Sequence, residues 1–592
     1  MTEPDVVDDL AEAATAPDPG VETPAGTGGG GVRGWIGWLV RRPAAFGGLA
    51  GALIFFWLSL TPSLLPRPWF GQAFASGVSA AFGYGIGSGL SALIRTVLPR
   101  EPSPAVKRQV WRALIGVAVI GTVIALILEK GWQNGLRGLM GIEEEPDISL
   151  VALLVATLFV ASLSLLIARL VRSLTRFVIR QVNRLLPRPA AVALGVALAM
   201  FIIVGVLQGF LWRGAISAMN SVSGSVNGTT SDTAFEPTSD KRSGGPGSLV
   251  SWDSLGRQGR DFTGRGPTVA DLEKFDADGA TDGAGGAGAG AGTCCEQPIR
   301  VYVGLDSAPS AHERAELAVK ELDRTGAFDR KVLAVFGATG TGWINPRVAS
   351  SLEYLHGGDT AEVSIQYSFL PSWLSFLVDQ NVASEAGREL FGAVRARLDQ
   401  IPEAKRPKLL LFGESLGSYA TEAAFTDISD LQAHSDGALL VGPTFSNDIW
   451  TELTETRIAG SPQWRPKVRQ PAVRFAGTPA DLEGFRDVAG SRVVYLQNSS
   501  DPITWFSSDL AYRKPDWAGD PAAPDRSPAF TWMPLVTFWQ VVADLADSLG
   551  VPTGFGHHFG SNVVDGWVAI SAPDDWTPAD TARLKAVVGE RG

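Results

Sequence analysis

The clearest candidate for chemistry in this chain is a serine between two glycines, in the pentapeptide Gly413-Glu-Ser415-Leu-Gly417. Four apolar residues, Leu409 to Phe412, precede it and predict a buried parallel strand. The residues from Leu416 to Phe425 predict a helix. Because Gly413 and Gly417 lack side chains, the backbone can turn tightly and hold the Ser415 hydroxyl at the positive end of that helix. Such a serine is a candidate nucleophile for acyl transfer.

A nucleophilic serine of this kind requires an acid and then a histidine further along the chain. Asp501 follows the predicted strand Val493 to Leu496, at the end where catalytic groups collect in open α/β sheets. His557 lies later, in a glycine-rich loop. The order Ser415, Asp501, His557 therefore predicts a catalytic triad.

The triad chemistry assigns a role to each residue. Ser415 attacks, His557 takes its proton and later protonates the leaving group, and Asp501 fixes the imidazole tautomer. His558 is the alternative base, since it also follows the acid. We favour His557 because Gly556 before it permits a close approach; His558 would then be satisfied by backbone or solvent.

The reaction also requires donors for an oxyanion. The backbone N–H of Leu416, directly after the serine, is the first predicted donor. The second is assigned to Thr341, in the loop Gly337 to Trp343 after the predicted strand Lys331 to Phe336. A phosphate-binding loop is the alternative, but the lysine of a G-K-[S/T] ending is missing.

Other functional classes have little support in the composition. The net charge is −11, which gives no reason to expect nucleic acid as a partner. We find no cofactor fingerprint and no metal-ligand cluster, so none is predicted. The two cysteines, Cys294 and Cys295, are adjacent; we interpret them as an incidental pair, with a disulfide between neighbours or an acyl anchor as alternatives.

The first part of the chain predicts a membrane domain. Residues 1–33 are acidic and then glycine-rich, which indicates a disordered tail. Within residues 34–213, five apolar segments approach the roughly 20 residues that cross a bilayer as a helix. They are Ala44–Leu60, Phe70–Ile94, Trp111–Leu128, Leu150–Leu170 and Ala190–Trp212. The second contains Gly83, Gly85, Gly87 and Gly89, which favour close helix packing.

Along the chain, connections rich in basic residues alternate with connections poor in them. Basic residues are frequent before the first segment, between the second and third, and between the fourth and fifth. The other connections carry few, Arg67 in one and Lys130 and Arg137 in the other. The positive-inside rule then places the N-terminus in the cytoplasm and the C-terminal domain outside the cytoplasmic membrane.

The remaining chain predicts a linker and a folded domain. Residues 214–296 are rich in Gly and Ser and indicate a partly ordered linker, in which Ser251 to Phe275 could dock on the next domain. From residue 297 to 592, predicted strands alternate with helices, which indicates a doubly wound, mostly parallel sheet. The stretch Pro443 to Gly490 has few clear elements and is assigned to a cap insertion.

The layout resembles bacterial membrane-anchored alpha/beta-hydrolase family proteins, typical of actinobacteria and proteobacteria. The resemblance rests on the serine pentapeptide and on five further stretches: Pro298–Leu305, Thr339–Trp343, Gln366–Trp373, Tyr495–Pro502 and Pro552–His557. It implies a helical membrane domain followed by an α/β-hydrolase domain. The family's expected Gly-His-Gly-His motif aligns its second histidine with His557, which supports His557 as the base. The resemblance names no substrate.

The leading hypothesis is a membrane-anchored serine esterase or lipase acting on an ester, thioester or lipid acyl bond, with an acyl-containing small molecule or lipid as substrate. The alternatives are an acyltransferase on envelope lipid or glycan, a non-enzymatic scaffold, and transport through the helices, which the lack of charges within them weakens. Four tryptophans near the motif loops either line an acyl or sugar pocket or fill the core: Trp343, Trp373, Trp505 and Trp532. The oligomeric state is not predicted.

Overall fold

The computed structural model describes residues 46–97, 103–143, 150–205, 219, 223–281, 295–370, 380–521 and 523–589. The predicted tail, residues 1–33, lies outside them. The chain divides into two compact units. The helical unit comprises Met1–Leu60, Gln72–Ala125 and Ile148–Ala218, and the sheet unit comprises Thr61–Gly71, Leu126–Asp147 and Met219–Gly592.

Apolar helices coincide with the predicted membrane segments. They are α1 (Phe46–Ser59), α2 (Trp69–Val97), α3 (Pro104–Met140), α4 (Leu150–Val182) and α5 (Arg188–Val204). Among the described residues, α2, α3 and α4 are long and apolar enough to cross a membrane. The helices α1 and α5 have 14 and 17 residues. The predicted segments Ala44–Leu60 and Ala190–Trp212 extend beyond these two helices into residues that lie outside the described ranges.

Glycines allow α1 and α2 to pack at backbone distance. A Cβ on Gly51 would lie 2.2 Å from the carbonyl oxygen of Gly83, and one on Gly87 would lie 2.0 Å from that of Gly47. Any larger residue at these positions would push the helices apart. Gly85, by contrast, faces open space. The predicted packing role therefore applies to Gly83 and Gly87, which are four residues apart.

The sheet unit contains a seven-stranded sheet in the order β1-β3-β2-β4-β5-β7-β6, with all six pairings parallel. The strands are β1 (Ile299–Val303), β2 (Val332–Gly337), β3 (Thr360–Ile365), β4 (Lys408–Glu414), β5 (Gly437–Val441), β6 (Val473–Ala476) and β7 (Arg492–Leu496). The next strand after β2 in the chain, β3, lies towards one edge of the sheet, and the next strand after β4, β5, lies towards the other edge. The carboxyl ends of β2 and β4 therefore flank a topological switch point, where ligands bind in such sheets.

Helices accompany the strands of the sheet. They are α6 (Gly256–Gly264), α7 (Val269–Thr281), α8 (Ala311–Thr325), α9 (Pro346–Leu355), α10 (Gln380–Leu398), α11 (Leu416–Glu422), α12 (Ile428–His434), α13 (Asp448–Glu455), α14 (Pro502–Trp505), α15 (Val536–Leu545), α16 (Asn562–Ser571) and α17 (Pro578–Gly589). The predicted α/β class with a doubly wound parallel sheet is confirmed.

The stretch assigned to a cap, Pro443 to Gly490, contributes to the sheet itself. It contains α13 and the strand β6, which pairs with β7 at the edge. A strand of only four residues, Val-Arg-Phe-Ala, gives too short a pattern to be recognised in the sequence. The assignment of this whole stretch to a cap was therefore wrong.

The glycine-rich linker region is folded where it is described. Its residues 241–243 run beside β1, with Ser243 N donating to Arg300 O and Arg300 N donating to Lys241 O. The Arg242 side chain donates to the carbonyl oxygens of Thr263, Arg265 and Pro267. These contacts cover the edge of the sheet, which would otherwise expose unpaired backbone groups.

The structure describes one of the two adjacent cysteines. Cys295 is disulfide-bonded. Cys294 is the only other cysteine of the chain and lies outside the described residues. The predictions for the pair therefore concern a residue outside the described ranges.

Candidate active site

Ser415 lies in a strained turn between β4 and α11. Its backbone angles are φ 55° and ψ −125°, a region that residues with a side chain rarely adopt. A Cβ on Gly413 would lie 2.4 Å from the carbonyl oxygen of Gly417, so the turn requires glycine at that position. Ser415 N donates to Val441 O at 2.9 Å, which attaches the turn to the end of β5. The strain is thus held by the packed centre of the sheet.

Asp501 and His557 are in direct contact. His557 Nδ1 lies 2.6 Å from Asp501 Oδ2, and both side chains are buried. The carboxylate is further held by Ile503 N at 2.8 Å and by the Thr504 hydroxyl at 3.1 Å. Since a carboxylate accepts, His557 donates from Nδ1 and its Nε2 is left to act as the base.

The histidine ring lies beside the backbone that holds the serine. A Cβ on Gly442 would lie 2.4 Å from His557 Cε1, so only glycine lets the ring approach. Gly442 directly follows Val441, the residue whose carbonyl accepts from Ser415 N. His557 Nε2 is buried and has no hydrogen-bond partner among the described residues. A buried, unpaired imidazole nitrogen is suited to receive a proton from a reacting group.

Electrostatics favour the protonated form of His557. Burial alone lowers the pKa of the imidazole, but the charge and hydrogen bond of Asp501 outweigh burial and raise it above its ordinary value. The carboxyl group of Glu414, inside the pentapeptide, also raises it. Burial raises the pKa of Glu414 itself, against a hydrogen bond of 2.8 Å from Asn345 Nδ2. An imidazolium formed during acyl transfer would be stabilised by these neighbours.

Side chains of the acid loop bind the histidine loop. Asn498 Nδ2 donates to Gly556 O at 2.9 Å, and Gly556 N donates to the Ser500 hydroxyl at 3.0 Å. Ser500 is held in turn by Asp525, which accepts from both its N–H and its hydroxyl. These bonds fix the two loops against each other directly before Asp501 in one loop and directly before His557 in the other.

His558 occupies a different environment from His557. Its Nδ1 donates to the carbonyl oxygen of Val551 at 2.7 Å, and its own carbonyl accepts from Gly554 N. The ring is therefore engaged by the backbone of its own loop, as expected for a supporting residue, while the neighbouring ring contacts Asp501.

The two residues assigned to the oxyanion hole lie at neighbouring strand ends. Leu416 is the first residue of α11, so its N–H has no acceptor within the helix. The loop that carries Thr341 is next to it, because a Cβ on Gly417 would lie 2.2 Å from the carbonyl oxygen of Gly337. Thr339 N donates to Trp343 O, and Thr341 O accepts from Gln366 Nε2. Thr341 therefore lies in a closed turn beside the strained turn that carries Ser415.

The tryptophans singled out in the sequence have different positions. Trp505 is buried, donates to Asn498 O and contacts Trp450 and Trp517, so it belongs to the core beneath the acid loop. Trp532 is partly buried and donates to Leu510 O. Trp343 is partly buried in the loop after β2, and Trp373 lies outside the described residues.

The sequence analysis did not identify the residues that hold the candidate catalytic side chains in place. Asn498 and Ser500 stand directly before Asp501, and Gly442 follows a recognised strand, but their roles depend on contacts with distant loops. Among these positions, only the run of short polar residues before Asp501 is a sequence pattern that could have indicated a supporting role. Within the described ranges, no group of three His, Cys, Asp or Glu side chains could hold a metal ion.

Two family models match this chain. The family described as "Alpha/beta-hydrolase family" matches residues 299–584, and "Alpha/beta-hydrolase family N-terminus" matches residues 60–267. No curated protein and no solved structure matched the chain. The two family matches follow each other in the expected order and together cover most of the chain. The protein therefore belongs to the alpha/beta-hydrolase family.

Proposed function

We propose that this protein is a membrane-anchored serine hydrolase that cleaves an ester, thioester or lipid acyl bond. The proposal rests on two features that meet at the end of β5. The strained, buried Ser415 is bonded to Val441, and the ring of His557, which contacts Asp501, lies against the next residue, Gly442. Backbone strain at a nucleophile is costly and persists only where the surrounding structure holds it. Here the glycines and the bond to Val441 hold it.

The proposed reaction proceeds through an acyl-enzyme. Ser415 Oγ attacks the carbonyl carbon while its proton passes to His557 Nε2. The oxyanion receives the N–H of Leu416 and a second donor from the loop of Thr341. His557 then gives its proton to the leaving group, which departs with the electrons of the broken bond. Water then attacks the carbonyl carbon of the acyl-enzyme while its proton passes to His557 Nε2, and the bond to Ser415 Oγ breaks as His557 returns a proton to that oxygen, which releases the acid and free Ser415.

We further propose that the site lies on the non-cytoplasmic side of the membrane. The basic residues of the connections support this orientation. Residues 61–68 between α1 and α2, and the residues from 126 onward that comprise the end of α3 and the start of the connection after it, belong to the same compact unit as the sheet. Both connections would then lie on the side that the charge bias assigns to the catalytic domain.

Activity-based labelling tests the chemistry and the orientation together. Cells expressing the wild type or Ser415→Ala are treated with a membrane-impermeant fluorophosphonate, before and after lysis. We expect labelling of intact cells that is lost in Ser415→Ala, because the probe reacts with an activated serine hydroxyl. Labelling that persists in Ser415→Ala would contradict the proposed nucleophile. Labelling that appears only after lysis would keep the chemistry and overturn the orientation.

A further inference from the structure

A short segment between two membrane helices is built into the sheet unit. This segment, here named the strap, comprises Thr61 to Pro68 between α1 and α2. Leu64 and Leu65 of the strap are completely buried and belong to the same hydrophobic core as the strands. Three prolines, Pro62, Pro66 and Pro68, limit its backbone freedom. The strap is therefore a packed part of the sheet unit.

Asp544, near the end of α15, holds the strap in place. Its Oδ2 accepts from Leu64 N at 3.0 Å and from Leu65 N at 3.4 Å. Its Oδ1 lies 4.0 Å from Arg67 Nε, and both side chains are at most 1% exposed. One turn earlier on α15, Gln540 Nε2 donates to Thr61 O at 2.8 Å. Two backbone donors thus satisfy one oxygen of this buried carboxylate, and the charge of Arg67 faces the other.

Two contacts connect the strap and the region of Asp544 with the loop that carries His557. A Cβ on Gly556 would lie 3.4 Å from Leu65 Cδ2, so the strap packs against the residue before His557. In addition, Ser548, four residues after Asp544, accepts from His557 N at 2.8 Å. The residue before the candidate base thus lies against the strap, and the backbone N–H of the base itself is held by the turn that follows α15.

We infer that Leu65 and Asp544 are positioning residues for His557: the strap, a membrane-helix connection, holds the histidine loop at the geometry that the reaction requires. This inference rests on the proposed function. It extends the catalytic arrangement beyond the sheet to a segment more than 340 residues before the serine in the chain. A displacement of about 1 Å at a catalytic group can cost on the order of 100-fold in rate.

The test compares two leucines that are equally buried in the full-length protein. Leu65→Ala removes the contact with the histidine loop, and Leu322→Ala, in α8 against β1 and β3, removes an equally buried side chain elsewhere. Both variants are purified in detergent, checked by thermal unfolding, and reacted with a fluorophosphonate well below their melting temperatures. We expect the labelling rate of Leu65→Ala to fall about 10-fold or more, and that of Leu322→Ala to stay at the wild-type value.

A readout of geometry accompanies the rate. Hydrolysis of a soluble p-nitrophenyl ester by Leu65→Ala should lose kcat more than it raises KM, and Leu65→Met should restore most of it. If Leu65→Ala does not fold, Leu65→Val and Leu322→Val form the same matched pair with a smaller expected loss. Equal labelling rates in the matched variants would overturn the inference alone, while a wild type that is not labelled would overturn it together with the proposed function.

Discussion

Two buried arginine–carboxylate pairs of the sheet unit are built in different ways. At the edge strand β1, Arg300 binds Glu353 through two hydrogen bonds of 2.7 Å and also donates to Phe262 O. In the strap, Arg67 lies 4.0 Å from Asp544 and donates to Thr61 O instead. The carboxylate of Asp544 uses its other oxygen for the backbone of Leu64 and Leu65.

The difference appears in the pKa values of the two guanidinium groups. Burial lowers the pKa in both cases, but the adjacent Glu353 carboxylate outweighs burial and raises the pKa of Arg300 above its usual value. In Arg67, burial prevails over the attraction of Asp544, and the pKa is lowered. The first pair thus fixes the edge of the sheet by direct bidentate binding, whereas the second supports a segment of backbone.

The largest effect is expected from breaking the bidentate pair. Glu353→Ala leaves the buried Arg300 with Glu362, at 3.8 Å, as its nearest carboxylate, and the loss should cost about 3–5 kcal/mol in the free energy of unfolding. Urea or thermal unfolding in detergent measures it. Asp323→Ala, which breaks an exposed pair with Arg397, serves as control and should cost at most about 1 kcal/mol. A similar loss of unfolding free energy in both variants would show that the buried pair contributes no more to stability than the exposed pair.

The next effect concerns pH and the strap. Burial raises the pKa of Asp544 to about 6, although Arg67 and the hydrogen bonds of the strap lower it. Because the folded state holds this proton more tightly than the unfolded chain, the contribution of Asp544 to stability is present below about pH 4 and is lost as pH rises through 6.

Asp544→Asn removes that titration. The free energy of unfolding of the wild type, relative to Asp544→Asn, should therefore fall by up to about 3 kcal/mol between pH 4 and pH 7, at about 1.4 kcal/mol for each pKa unit. Unfolding curves of both proteins across this range measure the difference. Parallel pH dependence in the two proteins would mean that Asp544 does not titrate with the shifted pKa.

The smallest effects separate charge from geometry at the two arginines. Lysine keeps the charge but cannot bind a carboxylate with two parallel hydrogen bonds. Arg300→Lys should cost roughly 1–3 kcal/mol in stability, the range for buried hydrogen bonds, and Arg67→Lys should cost less. The midpoint of thermal unfolding ranks the two variants. A larger loss at Arg67 than at Arg300 would reverse the comparison.

The predictions from sequence were best where a pattern is local. The elements around Ser415 were recognised because a strand, two glycines and a helix follow each other within a few residues, and β4 and α11 lie there. The strand β6 was missed because it has only four residues at the sheet edge. Arg67 was counted only as a lone basic residue in a connection, since its partner Asp544 lies 477 positions away.

The sequence by itself determined the order of the candidate catalytic residues and the alternation that makes the sheet parallel, because both are written in short-range types and spacings. The sequence favoured His557 over His558 through Gly556 and the family motif, but the contact with Asp501 itself belongs to the tertiary structure, because the packing of Gly442 and Asn498 separates the environments of these two neighbours. The tertiary structure also decided that a connection between membrane helices lies against the histidine loop. Contacts between distant segments depend on how the buried surfaces of the whole unit fit together, and no local pattern records that fit.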